Sequence, residues 1–331
     1  MSLQSAGAFA DLRVAVVGLG SIGRRHLENL GRLGVGRKLV VRRAHGVNPA
    51  FVPPADAIVA HSHAAALAAG PDAAIICNPT AEHVPAALEY VAAGVPVLVE
   101  KPISHRLDEA ERLLAAAKSG GVHAGMAYVM RYHPAYRLAR EAVVARQLGR
   151  LLYANVWFEA YLPDWHPWED YRQGYAARRA LGGGALPTLD HEIDFLNWLL
   201  GAPESTAGCS GRSGALEMDA DDWATLSIDY PGGVRASGVF SLCRRDRSRG
   251  FEIIGELATL QFRFETGRLE LLGGERAPET LWDGAGYDLN DAYLEMLRDF
   301  LGSLFEPDRE PPISLAAGWH ALRVAASAAP R

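Results

Sequence analysis

At 331 residues the chain is long enough for two domains, and its 49% hydrophobic and 22% charged content is that of an ordinary globular protein. A net charge of −6 argues against a general nucleic-acid binder, and no apolar run approaches the roughly 18 residues that cross a membrane. Three cysteines (Cys77, Cys209 and Cys243) share no CxxC spacing and are odd in number, which speaks against a disulfide framework or zinc knuckle and predicts a reducing compartment, the cytoplasm.

In chain order, Met1-Ser-Leu-Gln-Ser-Ala-Gly7 shows neither the basic start nor the long apolar core of a signal peptide. Val14–Val17, Leu39–Val41, Ala73–Cys77 and Val95–Val99 are short apolar runs, the texture of strands buried on both faces of a parallel sheet, and Ala57–Ala60 is a weaker one. Helical periodicity recurs between them. Ile22, Leu27, Leu30 and Leu33 fall near one face, as do Val84, Leu88 and Val91, and then Leu107, Leu113 and Leu114 before the stop at Ser119-Gly120-Gly121. The alternation predicts an α/β, doubly wound parallel Rossmann domain over residues 9–126.

Beyond Tyr128 the texture changes. A helix is predicted over Pro134–Gln147, a strand over Leu151–Phe158, an irregular stretch over 159–184, and an amphipathic helix over Leu189–Leu200 that stops at Gly201. Trp223–Leu272 reads as antiparallel strands turning at Asp229-Tyr-Pro-Gly-Gly233, Gly255-Glu256 and Thr266-Gly267, with Arg244–Arg249 as an exposed hairpin loop. Helices over Ala292–Leu304 and Leu315–Ala326 close the chain. Residues 127–331 are thus expected to form an α+β domain with a mostly antiparallel open sheet, its last helix able to pack back on the first domain. Helices cover one face of such a sheet; burial of the other against a second copy predicts a homodimer or homotetramer.

Two stretches carry the chemistry. Gly18-x-Gly20-x-x-Gly23 follows an apolar run and opens a helical pattern, so that backbone N–H groups around Gly18, Gly20, Ser21, Ile22 and Gly23 converge where a pyrophosphate can sit. Gly18 permits the tight turn, Gly20 the approach of phosphates, and Gly23 close helix–strand packing. Alone, such a turn also suits an S-adenosylmethionine site. Val97-Leu-Val-Glu100-Lys101-Pro102 ends a second apolar run with a carboxylate and an amine, and the pair in this order points to a nicotinamide-dependent dehydrogenase. The second run of the chain ends at Arg42-Arg43, where an NAD site usually places a carboxylate for the ribose hydroxyls. Two guanidinium groups there suit a 2′-phosphate, so NADP(H) is favoured over NAD(H).

With Gly18–His26, Cys77-Asn-Pro-Thr-Ala-Glu-His83, Glu100-Lys-Pro102, Gly182-Gly-Gly184 and His191-Glu-Ile-Asp194 in this order, the chain resembles the Gfo/Idh/MocA family, the relatives of glucose–fructose oxidoreductase and inositol dehydrogenase, over nearly its whole length. The resemblance implies that Lys101 and His191 face the nicotinamide, and that Asn78, Pro79, His83 and Glu100 run beside its ribose. A histidine can accept the hydroxyl proton while hydride leaves carbon, and a lysine ammonium stabilises the developing negative charge on oxygen. Family members usually carry an Asp one turn before the histidine. Here Pro187 and Thr188 stand there, and Asp190 would point about 100° away on a regular helix. Either the backbone is not regular helix, or Thr188 replaces the carboxylate.

Trp165-His166-Pro-Trp-Glu-Asp-Tyr-Arg172 and Tyr175-Ala-Ala-Arg-Arg179 combine aromatics that suit sugar faces with arginines that suit carboxylate or phosphate groups; a packed loop with surface arginines explains them equally well. Arg131 near the domain boundary is a further substrate candidate beside Trp165, His166, Arg172 and His191. The stretch resembles the family branch of bacterial surface-sugar biosynthesis, which implies an acidic or nucleotide-linked sugar. Neither His61-x-His63 nor Asp190-His-Glu-x-x-Asp194 has the spacing of a metal site, and none is expected. The expected function is hydride transfer between NAD(P) and a secondary alcohol or ketone of a sugar-type substrate. The alternatives are an NAD-dependent glycoside hydrolase with no net redox change and a non-catalytic nucleotide-binding protein.

Overall fold

A computed structural model describes residues 7–42, 52–273, 277–306 and 309–330. The chain separates into two units, and the separation is not a single cut: residues up to Val129 group with Asn290–Trp319, and Met130–Leu289 with the residues from His320 on.

The first unit holds β1 (Arg13–Val17), α1 (Ser21–Arg32), β2 (Arg37–Val41), β3 (Ala57–Ala60), α2 (His63–Ala68), β4 (Ala73–Ile76), α3 (Thr80–Ala92), β5 (Val97–Val99), α4 (Leu107–Gly120) and β6 (Ala124–Met126). The six strands are all parallel, in the order β3-β2-β1-β4-β5-β6. This is the doubly wound order, with its reversal between β1 and β4. The apolar runs are what they promised: Val14, Val16, Ile75, Ile76, Val97 and Val99 have no exposed surface. Each such side chain contributes roughly 1.5–3 kcal/mol over its exposed state. α4 stops where Gly121 takes φ +61, the left-handed conformation that a side chain would strain.

The second unit holds α5 (Pro134–Val144), β7 (Leu151–Tyr161), α6 (Ala185–Thr188), α7 (His191–Leu200), β8 (Ser205–Gly211), β9 (Trp223–Tyr230), β10 (Val234–Ser241), β11 (Cys243–Gly255), β12 (Thr259–Arg263), β13 (Arg268–Leu272) and β14 (Glu279–Asp283). α8 (Asn290–Ser303) then returns to the first unit, α9 (Leu315–Ala325) begins in the first and ends in the second, and β15 (Ala328–Pro330) joins the second. The sheet has nine strands in the order β14-β13-β12-β11-β7-β10-β9-β8-β15, antiparallel except for the β7–β10 and β8–β15 pairs. α5, α6 and α7 pack on one face. Between them and the sheet lies an aromatic core in which Tyr136, Phe195, Phe251 and Phe262 are buried, with ring centroids 4.6–5.7 Å apart.

The turns at Pro231–Gly233, after Gly255 and at Thr266-Gly267 join the strands expected. Arg244–Arg249 is a correction, because it is no hairpin loop. It lies inside β11, pairs with β7 across an irregularity between Cys243 and Ser248, and carries a buried arginine, Arg249. A run of charges looks solvated to any local reading. Here Arg249 is held by Glu192, 57 residues away in sequence, at 2.6 Å, and by the rings of Phe158 and Phe264 at 4.4 and 4.6 Å. β8, β14 and β15, built on small, polar or short segments, were not anticipated.

Candidate active site

In the first unit the loops after β1, β2, β4 and β5 all leave the carboxyl edge of the sheet, where open α/β sheets bind ligands. Gly18 follows β1 at φ +95, and a Cβ there would lie 2.7 Å from the Asn78 amide nitrogen. Gly23 packs tighter still, since its Cβ would fall 2.0 Å from the Gly18 carbonyl oxygen. Gly20, the N-cap of α1, has nothing within 4 Å of the Cβ position. No side chain caps α1 and its first turn holds no acidic residue. Ser21 is exposed and Ile22 half-buried at that end. The first-turn N–H groups therefore keep their donors for an anion, and the space at Gly20 lets one approach. These residues fit a dinucleotide pyrophosphate.

Arg42, half-buried, stands just past β2; Arg43 lies outside the described residues. Asn78 follows β4, donating from its side-chain amide to the Glu82 carbonyl at 3.1 Å, with Pro79 at the N-cap of α3. Buried His83 faces two carbonyl oxygens, Pro102 O at 2.7 Å from Nδ1 and Asn78 O at 2.8 Å from Nε2, and so joins the loops after β4 and β5. Its pKa is lowered, chiefly by burial. Lys101, half-buried, follows Glu100, which is 6% exposed. The Glu100 carboxylate accepts from His26 Nε2 at 2.6 Å and from the Lys101 backbone N–H at 3.1 Å. Of the residues in this unit whose placement bears on the site, His26 had been given no part from the sequence.

In the second unit, Gly182 and Gly184 take φ +78 and +122, and a Cβ on Gly183 would fall 2.2 Å from the Tyr175 carbonyl. The triglycine lets the 175–177 segment lie against the start of α6, where Gly184 N–H donates to Ala176 O at 2.9 Å. α6 ends at Thr188, and Leu189 (φ −112, ψ 23) breaks the helix. Asp190 then accepts on its carbonyl from Asp194 N–H at 3.0 Å as α7 begins at His191. The backbone here is thus not regular helix: Thr188, Asp190 and His191 straddle a break, and the helix predicted from Leu189 starts two residues later. All three are buried.

Arg131 forms a two-pronged ion pair with Asp194, Nε to Oδ2 at 2.9 Å and Nη2 to Oδ1 at 2.6 Å, and lies over Trp198 at 5.5 Å. Burial pushes the Asp194 pKa up and Arg131 opposes it. Arg172 is engaged by Asp170 at 2.8 Å and Glu217 at 3.2 Å on the surface. Trp165 stacks on Phe158 at 6.2 Å, and His166 lies 5.1 Å from Trp168. On α7, Glu192 accepts from Tyr136 OH at 3.2 Å as well as from Arg249, a buried cluster with no local signal in the sequence. Among the described residues no group of three or more His, Cys, Asp or Glu is placed to hold a metal, and no helix is long and apolar enough to cross a membrane.

Residues 12–128 match the family model described as "Oxidoreductase family, NAD-binding Rossmann fold", and residues 136–261 match the GFO/IDH/MocA C-terminal domain. The chain belongs to the Gfo/Idh/MocA family. Among its relatives, 1,5-anhydro-D-fructose reductase of Ensifer adhaerens is 27% identical over 192 residues, 57% of this chain and 56% of that protein. This chain thus spans little more than half the length of that relative. Inositol 2-dehydrogenase of Rubrobacter xylanophilus is 26% identical over 332 residues, 95% of this chain and 89% of that one. The WlbA dehydrogenase of Bordetella pertussis, solved with NADH and UDP-GlcNAcA, shares the fold at a TM-score of 0.78 and 21% identity, over 96% of this chain and 95% of the other.

Proposed function

We propose that this member of the family is an NAD(P)-dependent dehydrogenase that interconverts a secondary alcohol and a ketone on a sugar or nucleotide-linked sugar. The observation that carries the reading lies in the first unit: an open Gly20 at an uncapped helix N-terminus and Lys101 past β5, both on the carboxyl edge of one parallel sheet. Gly18, Gly20, Ser21, Ile22 and Gly23 hold the pyrophosphate, and the loop of Asn78, Pro79 and His83 flanks the ribose. When bound, the nicotinamide exchanges hydride with the substrate carbon. His191 takes the hydroxyl proton as the C–O bond becomes C=O, and Lys101 stabilises the negative charge that builds on oxygen.

Substrate contacts are assigned to Trp165, His166 and the exposed part of Arg172. Arg131, held by Asp194, acts by fixing α7 beneath His191. NADP(H) is the preferred cofactor, through Arg42 and Arg43, because β2 ends without the carboxylate an NAD ribose would call for. The inositol and anhydrofructose activities of the relatives, and the UDP-GlcNAcA bound to WlbA, support a sugar-type substrate. The outward face of the second sheet, with Tyr153 and Val239 on it, pairs with a second copy, and the enzyme works in the cytoplasm.

The test is to mix the protein with NAD+ or NADP+ and myo-inositol, UDP-GlcNAcA or related sugars, and with NADPH and 1,5-anhydro-D-fructose, while following reduced nicotinamide by absorbance. Substrate-dependent change in reduced nicotinamide supports the reading. Sugar cleavage with no net change in it would establish the hydrolytic alternative instead.

A further inference from the structure

We infer that His26 and Glu100 form a positioning pair that ties the Lys101 turn to helix α1, and that Glu100 is not a ribose ligand. The inference rests on the proposed role of Lys101. Both Glu100 oxygens already have partners: Oε1 accepts from His26 Nε2 at 2.6 Å and Oε2 from Lys101 N–H at 3.1 Å. Glu100 is 6% exposed and His26 fully buried, with Tyr293 of α8 edge-on to the imidazole at 5.9 Å. His26 Nδ1 is buried without a hydrogen-bond partner, so the ring hydrogen belongs on Nε2, where Glu100 accepts it.

A carboxylate taken out of water is tolerated when its lone pairs are filled, and removing one partner leaves the other stranded. His26 is the sixth residue of α1, about 1.7 turns from Gly20. The chain from α1 through His26 and Glu100 to the Lys101 amide therefore fixes the peptide that carries Lys101 against the same helix whose N-terminus faces the phosphate. β5 ends at Val99; beyond it the Glu100 N–H donates to Ile76 O at 3.0 Å and Pro102 O faces His83 Nδ1 at 2.7 Å, and the Glu100 carboxylate adds the bond to the Lys101 N–H between them.

The chain has only three lysines, Lys38, Lys101 and Lys118, which makes the amine directly observable. Reductive methylation with 13C-formaldehyde labels them without removing charge, and loss of one signal in Lys101→Arg assigns Lys101. Its chemical shift and titration midpoint are then compared in wild type, His26→Leu, His26→Gln and Glu100→Gln, alongside NADH affinity by fluorescence.

The pair predicts a displaced Lys101 signal and midpoint in His26→Leu, recovery toward wild type in His26→Gln, whose amide restores a donor, and NADH affinity within about twofold of wild type throughout. If His26→Leu does not fold, Glu100→Gln against wild type reads the same quantity. An unmoved Lys101 signal in every variant overturns the inference. So does an NADH affinity weakened roughly tenfold or more by Glu100→Gln with the Lys101 signal unchanged, which would make Glu100 a cofactor ligand. A signal that responds to His26 while Lys101→Met keeps full turnover would retain the tie and remove the catalytic role of Lys101.

Discussion

Gly18 and Asn78 meet backbone to backbone at the reversal point of the first sheet: a Cβ on Gly18 would stand 2.7 Å from the Asn78 nitrogen. The three glycines of the turn therefore serve unlike purposes, and substitution separates them. Gly23→Ala drives a methyl into the Gly18 carbonyl, so α1 must lift from β1, and the melting temperature falls together with cofactor affinity. Gly20→Ala, at φ −81 with open space around it, leaves stability within about 0.5 kcal/mol but weakens NADH binding roughly tenfold or more. Thermal melts and fluorescence titration of both variants decide this. Unchanged NADH affinity in Gly20→Ala would remove the phosphate from that space.

Lys101→Met should fold and bind NADH as wild type does, while turnover drops roughly 10²-fold or more, since the charge is needed mainly in the transition state. Steady-state rates on the best substrate of the sugar panel supply the number. Turnover within about twofold of wild type shows that Lys101 takes no part in the chemistry.

Replacing Arg42 and Arg43 together by Ala should cost NADPH about 10- to 150-fold in affinity, the loss of one charge-assisted contact, and leave NADH nearly untouched. Equal losses for both cofactors, or a wild-type preference for NADH, would refute the NADP assignment and spare the dehydrogenase reading.

Acid should destabilise the second unit through His133. Burial, and secondarily Arg249, push its pKa down to about 3, and its Nδ1 accepts from Ala135 N–H as the cap of α5. With the folded value depressed below the unfolded one, the unfolded chain binds the extra proton. Stability is thus complete above about pH 6.5 and is lost as pH falls toward about 3. The loss between about pH 7 and about pH 5 is at most about 2 kcal/mol. His133→Asn keeps a capping acceptor and does not titrate, so urea unfolding at the two pH values should show a smaller difference than in wild type. An identical difference in both proteins rules His133 out as the cause.

The outward face of the second sheet sets Tyr153, 48% exposed, and Val239, 42% exposed, on β7 and β10. If a second copy covers it, Val239→Lys with Tyr153→Lys should shift sedimentation toward the monomer at unchanged helix and sheet content. A wild-type protein that already sediments as a monomer contradicts the pairing.

What the sequence shows and hides has a physical basis. β1, β4 and β5 are buried on both faces, so each stands out as an unbroken apolar run, and the glycine turn and Lys101 could be placed from those runs alone. β8, with Ser205, Gly208 and Ser210 in it, owes its place to pairing with β9 and β15 and has little apolar signal of its own. Arg249 was hidden because its partner, Glu192, is remote in sequence. Leu189 was read as helix because its burial fits the apolar stripe of α7, although its backbone belongs to the break before Asp190. Arg131 shows the same limit from the other side, since its charge was legible but its partner Asp194, on the far side of 63 residues, was not.

The return of Asn290–Trp319 to the first unit bears on how the protein is made. α8 packs on α1, and Asn29 and Asn290, 261 residues apart, exchange amide hydrogen bonds of 3.0 and 2.8 Å. Translation delivers β1 to β6 early, yet the helix that covers His26 and Asn29 leaves the ribosome only after the whole second sheet except β15 has emerged. The nucleotide-binding half is begun first and completed almost last. A gene fragment ending at residue 129 therefore encodes an α1 whose Asn29 lacks its amide partner and whose His26 keeps Glu100 but loses the ring of Tyr293, because the half is not one contiguous piece of chain.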